Sequence, residues 1–312
     1  MSQNNKFRSC AMAIGALLSL CWLGLASAQD ISTYYTVMHP AEFAIDWKAA
    51  YLKGEELTAA ARKELPTELN LAYGSDAKQR LDVYLPKDKP VSAPVLIFLH
   101  GGGDREGDRA QYGYVARPFA KHGIITVVAS YRLQPAFAWP AQRDDAQAVV
   151  AWVYRNIKSR GGDPNRIYLS GHSAGSQLTA VLSYRDGWRR AMALPNDVIK
   201  GAVLISSLAA GPNSEVTDPP LRAELDVLNN IASPPPRNVM AVGSSELEGE
   251  KAVAGRKKAD QLVANVRAKG SNAQFVMPKD MDHAEIVLSL NDENSELSKA
   301  ILAMIASPVA RK

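Results

Sequence analysis

The chain has 312 residues, 46% of them hydrophobic and 22% charged, with a formal charge of +4 at pH 7. These values suit one large α/β domain or two small ones of ordinary globular composition. A charge this mild, with no long run of lysine or arginine, offers no face for nucleic acid.

In chain order, Lys6 and Arg8 come first, then an apolar run from Ala11 to Leu25, then Ala26-Ser27-Ala28. A basic segment, an apolar segment and small residues at a cleavage position make a secretory signal peptide, expected over residues 1–28. The apolar run is short for a transmembrane span, so an uncleaved anchor is the lesser alternative. The expected product is exported, periplasmic or secreted, with no stable membrane insertion after cleavage. Both cysteines, Cys10 and Cys21, lie in this segment, and Ser19-Leu20 lacks the small residue needed before a lipidated cysteine. The cleaved chain would hold no disulfide, thiol nucleophile or thiolate metal site. Loss of Lys6 and Arg8 would take its formal charge from +4 to +2.

No repeat or low-complexity linker divides the remainder, which reads as an N-terminal arm (29–69) and one catalytic region (70–312). Residues 40–66, rich in Ala, Glu, Lys and Leu, read as helical and end near Pro66. "RLDVYLP" (80–86) alternates as a half-buried strand, whereas "APVLIFLH" (93–100) and "GIITVVASY" (123–131) run apolar without alternation. Unbroken runs of that length fit strands buried on both faces. An amphipathic helix is expected over 144–157, a strand over 167–170 and a helix from about 174. Strands at 201–208, 238–244 and 273–278 alternate with helices at about 252–269 and 293–306. Buried strands alternating with helices imply a mostly parallel sheet covered on both faces.

Within this pattern stands "IYLSGHSAG" (167–175), a strand running into Gly171-His172-Ser173-Ala174-Gly175 and then a helix. A G-x-S-x-G turn between strand and helix lifts a serine hydroxyl above the sheet, with glycines where side chains would collide. Ser173 is the expected nucleophile, and the helix start behind it aims amides and a positive dipole end at the same point. "HGGG" (100–103), directly after a buried strand, can bring further amides to an oxyanion.

The base should lie near the C-terminus. Of the five histidines, His39 is in the arm, His100 in the glycine loop, His122 before a strand and His172 inside the turn. His283, in "KDMDHAEIV", alone follows the last strand. The acid should follow the penultimate strand, where Glu246 comes first and Glu248 second. A contribution from Asp280 or Asp282 stays open.

With these residues in place, the chain resembles the serine esterases of the α/β-hydrolase superfamily. The likeness is to the branch of hormone-sensitive-lipase-like, feruloyl-esterase-like and kynurenine-formamidase-like enzymes. It covers roughly residues 70 to 305 and rests on "QRLDVYLP", "VLIFLHGGG", "VASYRL", "WPAQRDDAQAVVAWVYRNI", "GGDPNRIYLSGHSAGSQLTAVL" and "MDHAEIV".

The resemblance implies an α/β-hydrolase fold and acyl transfer through an acyl-serine, with no metal or cofactor. It makes Ser173 the nucleophile, His283 the base and Glu246 the acid. The amides of Gly102, Gly103 and Ala174 become the oxyanion donors, and Asp144 or Asp145 is structural. Two departures matter. The charged "DREGDR" (104–109) follows HGGG where an apolar or aromatic residue is common, which argues against lipid-like acyl chains. The stretch between Leu208 and Glu246 is too short for a large lid, so Tyr34, Tyr35, Phe43 or Trp47 of the arm would roof the pocket. The leading expectation is a carboxylesterase for small or aryl esters. An N-formyl or aryl amidase with the same residues comes next, and an inactive binding module is the remote third.

Overall fold

A computed structural model describes residues 45–88, 90–206, 216–227, 230–231, 234–247 and 250–307. The expected signal peptide, both cysteines, Tyr34, Tyr35, Phe43 and Glu248 lie outside the described residues.

The strands are β1 (Thr67–Ala72), β2 (Arg80–Tyr84), β3 (Ala93–Leu99), β4 (Ile125–Ala129), β5 (Gly162–His172), β6 (Ile199–Ile205), β7 (Arg237–Ala241) and β8 (Ala273–Val276). They form one sheet in the order β1-β2-β4-β3-β5-β6-β7-β8. The β1–β2 and β2–β4 pairs are antiparallel, and the other pairs are parallel. The helices are α1 (Trp47–Glu64), α2 (Ala116–Ala120), α3 (Ala141–Asn156), α4 (Ala174–Tyr184), α5 (Trp188–Ala191), α6 (Pro219–Leu225), α7 (Glu250–Ala268), α8 (Glu285–Leu288) and α9 (Glu296–Ala306).

β3 shows why its sequence does not alternate. Val95, Ile97 and Leu99 enter the core closed by α3, α4 and α7, while Leu96 and Phe98 enter the one closed by α1, α2, α8 and α9. Each such buried side chain favours the fold by ~1.5–3 kcal/mol over an exposed one, so both faces stay apolar. Two of the long helices, α1 and α9, start where a side chain caps them. Asp46 accepts from the Ala49 amide of α1, and Ser295 accepts from the Ser298 amide of α9.

Three differences from the sequence reading have physical causes. β1 was not expected; it straddles residue 70, mostly half-buried or exposed at the sheet edge, and bulges near Asn70, whose φ is +60°. An edge strand needs no apolar alternation and so leaves little trace. β5 begins at Gly162 rather than Ile167, because Gly162 pairs with Ala93 through backbone atoms that any sequence supplies. The short helices α2, α5, α6 and α8 carry too few residues to display a helical period. Between β6 and β7, α6 is the one helix among the described residues.

Candidate active site

β5 ends at His172 and α4 begins at Ala174, leaving half-buried Ser173 alone in the turn at φ +52° and ψ −117°. A side chain in that region is strained and persists only where its surroundings hold it. The Ser173 amide donates to the Ile205 carbonyl at 2.9 Å, and its carbonyl accepts from the Ser176 and Gln177 amides at 2.9 and 3.1 Å. A Cβ on Gly171 would lie 2.2 Å from the Gly175 oxygen, and one on Gly175 would lie 2.2 Å from the Leu99 oxygen. Both flanking positions are therefore closed to side chains. α4 has no side-chain cap, so the Ala174 amide and the positive end of the helix are left for an anion.

His283 lies in the loop between β8 and α8, with its side chain 6% exposed. Its Nδ1 stands 2.5 Å from Glu246 Oε2. A carboxylate only accepts, so in the neutral ring Nδ1 carries the proton and Nε2 keeps its lone pair. The second oxygen of Glu246 accepts from Ser206 Oγ at 2.7 Å and from the Gly243 amide at 2.8 Å.

The loops carrying Glu246 and His283 are knitted together. Ser245 donates to the Met281 carbonyl at 3.1 Å, and the Asp280 amide donates to Ser244 Oγ at 2.8 Å. Gly243 allows this approach, since a Cβ there would sit 2.1 Å from the Met281 oxygen. The other aspartates are engaged elsewhere. Asp282 caps the following turn through the Ala284 and Glu285 amides, and Asp280 is exposed beside Lys279.

Two further side chains belong to this cluster. Buried His172, one residue before Ser173, donates through Nε2 to the His283 carbonyl at 2.8 Å, and the two rings lie 4.7 Å apart. Burial first, and the neighbouring histidine second, hold its pKa well below the ordinary value, so it is a neutral strut. Trp47 of α1 meets the His283 ring at 76°, with centroids 5.8 Å apart. Of the four aromatics expected to roof the pocket, it alone is described. Sequence reasoning set His172 aside as a base and overlooked Ser206. The position of His172 inside the turn was its one signal, and Ser206 had none.

The HGGG loop leaves β3 beside the turn, where a Cβ on Gly101 would stand 3.1 Å from the Ser173 Cβ. Gly102 and Gly103 have φ of +112° and +60°. The Gly102 carbonyl accepts from the Arg105 and Glu106 amides at 3.0 Å each, curling the chain into a tight turn. Gly102 and Gly103 thus lie at the mouth of the turn, Gly102 buried and Gly103 exposed. His100, stacked at 4.3 Å on Tyr131, is pushed down to about 4 by burial and starts the loop as a neutral ring.

Within "DREGDR", Asp104 and Glu106 are buried, Asp108 pairs with Lys78 at 3.3 Å, and Arg109 pairs with Asp82 of β2 at 3.0 Å. Asp145 binds Arg132 at 2.7 Å and the Gln79 amide at 2.7 Å, while Asp144 pairs with Arg143 on the surface; neither reaches the histidine. Among the described residues, no group of three or more His, Cys, Asp or Glu is placed to hold a metal ion. No described helix is long and apolar enough to cross a membrane.

The profile of the BD-FAE family matches residues 81–200. Esterase LipC of Mycobacterium tuberculosis is 34% identical over 160 residues, covering 50% of this chain and 40% of that protein. Kynurenine formamidase of Danio rerio is 29% identical over 262 residues, covering 80% of this chain and 85% of that one. The chain thus spans less than half of the first relative and most of the second. Among solved structures, the esterase of Pyrobaculum calidifontis superposes with a TM-score of 0.63 at 21% identity, over 86% of this chain and 95% of that one. EstE1, a thermostable carboxylesterase from a metagenomic library, gives 0.61 at 22% identity over 83% and 95%.

Proposed function

We propose that the chain, which resembles the esterases of the α/β-hydrolase superfamily, hydrolyses small or aryl carboxylic esters through an acyl-serine on Ser173. The observation that carries this reading is the 2.5 Å Glu246–His283 bond on the same rim as the strained Ser173 turn.

The steps follow from the side chains. His283 Nε2 takes the Ser173 proton as Oγ attacks the acyl carbon, and Glu246 holds the imidazolium that forms. The carbonyl oxygen becomes an oxyanion against the amides of Ala174, Gly102 and Gly103. His283 returns the proton to the departing alcohol, and water, activated by the same ring, releases the acid. Protein groups and water suffice for every step. The aromatic wall of Trp47 against His283 supports a flat or small group beside the scissile bond.

An N-formyl or aryl amidase with the same residues is the second reading, supported by the extended match to a kynurenine formamidase. Export follows from the basic, apolar and small-residue order of residues 1–28, and N-terminal sequencing of an exported fraction should begin at Gln29.

The deciding experiment compares kcat/KM on p-nitrophenyl esters of short and aryl acids with that on an N-formyl aryl amide. Preference for the esters supports the first reading and preference for the amide the second. Inactivity on both would leave a binding module.

A further inference from the structure

Beyond the expected site, one buried acid in the oxyanion loop has no role in the steps above. Glu106 is 2% exposed, and its Oε1 accepts from the Tyr51 hydroxyl at 3.1 Å. Its Oε2 is buried with no partner among the described residues. The Glu106 backbone and the root of its side chain lie against the loop's turning point, for a Cβ on Gly102 would meet the Glu106 carbonyl oxygen at 2.2 Å and the side-chain Cγ at 3.0 Å. Tyr51 packs at 6.0 Å on Trp47, whose ring touches His283. α1 therefore ties the base to the oxyanion loop through Trp47, Tyr51 and Glu106.

We propose that Glu106 is a positioning residue that holds the Gly102–Gly103 turn in its working shape while its carboxyl is protonated and disables it on ionisation. The proposal rests on the serine-esterase reading of the site. As an acid, Glu106 accepts from Tyr51 and sits neutral in an apolar niche. As an anion, it would carry a buried charge with an unpartnered oxygen against the glycine turn that must receive an oxyanion. Like charge opposes the transition state there, and a buried anion draws its loop toward water.

The groups around it leave this balance in place. From α1 comes Tyr51, and from the turn after the loop Tyr112, both phenols kept protonated by burial. His100 and His172, which border the loop, are held neutral by burial. Its own loop adds Asp104, Arg105, Asp108 and Arg109, of which the last two are paired with Lys78 and Asp82. Burial pushes the Glu106 carboxyl up to about 7, against the downward pull of the Tyr51 bond, so the change falls near neutral pH.

The test is the pH profile of kcat on p-nitrophenyl acetate for wild type, Glu106→Gln and Tyr51→Phe, with Ser173→Ala as control. Wild type should fall above about pH 7, by up to ~10-fold per pH unit if the ionised form is inert. Glu106→Gln, neutral at every pH, should lose this falling limb. Tyr51→Phe removes a bond that favours the anion and should move the falling limb to higher pH, which tests the idea even if the glutamine variant fails to fold. A merely structural anchor would lower all rates without reshaping the curve. A wild-type curve with no falling limb, or the same limb in Glu106→Gln, overturns the proposal while leaving the esterase reading intact. Wild-type turnover that survives Ser173→Ala, or no turnover at all, would instead overturn the reading beneath it and this proposal with it.

Discussion

The turn after β5 and the loop after β3 face each other across the same rim, yet they are held by opposite means. The turn carries Ser173 at positive φ with small residues on both sides and is fixed by backbone bonds to β6 and by contact with the end of β3. The loop carries five charged residues within Asp104–Arg109 and is fixed by ion pairs and buried carboxyls anchored to β2 and α1. Rigidity around Ser173 thus comes from steric exclusion, whereas placement of Gly102 and Gly103 comes from electrostatic clamps. The first should tolerate pH and fail on any added atom; the second should respond to charge.

Ser173→Ala gives the largest expected effect, a loss of about 10⁵–10⁶ in kcat with the melting temperature unchanged, since one oxygen is removed from a half-buried position. Next comes Glu246→Gln, which keeps the shape but cannot hold the imidazolium. We expect a loss of about 10⁴ in kcat, measured in the same ester assay, and less than that of His283→Ala.

Asp82→Asn should act on the loop instead of the turn. Asp82 is 1% exposed and holds Arg62, Arg109 and the Asn70 amide, so its neutralisation should cost about 3–5 kcal/mol in urea unfolding. A cost under ~1 kcal/mol would mean that the clamp is not what fixes the loop.

The smallest effect is on acid stability. His100 falls from an ordinary 6.5 to about 4 in the fold, and burial holds His172 well below its ordinary value too. Below about pH 6.5 these two rings bind more protons in the unfolded chain than in the native one, so their contribution to stability rises with pH from about 4 to 6.5, while Glu106, which keeps its proton in the fold up to about 7, acts in the opposite sense. His100 alone accounts for about 3 kcal/mol across that window, of which about 2 kcal/mol should separate the unfolding free energies of Glu106→Gln at pH 7 and pH 5. Equal values would contradict the neutral state of these rings.

The same contrast explains what could be read from the chain. The turn was legible because its constraints lie within two residues of Ser173, and the covered sheet because both faces of β3, β4 and β6 are apolar. The anchoring of the loop was not, since Arg109 finds Asp82 and Asp108 finds Lys78 across 27 and 30 residues of chain. Choosing among carboxylates for His283 had the same difficulty, because Glu246 reaches it across 37 residues only when two loops interlock. β1 escaped because an edge strand buries too little to leave a pattern.

Acylation of Ser173 is the step on which the proposed reaction depends, and covalent trapping tests it most directly. The full-length protein would be treated with an aryl organophosphate, weighed intact and mapped by peptide mass spectrometry, beside the same protein preincubated with a short ester. One adduct per chain on the peptide containing Ser173, slowed by the ester and absent from Ser173→Ala, is the predicted result. An adduct on another residue, or none while ester turnover continues, would contradict it.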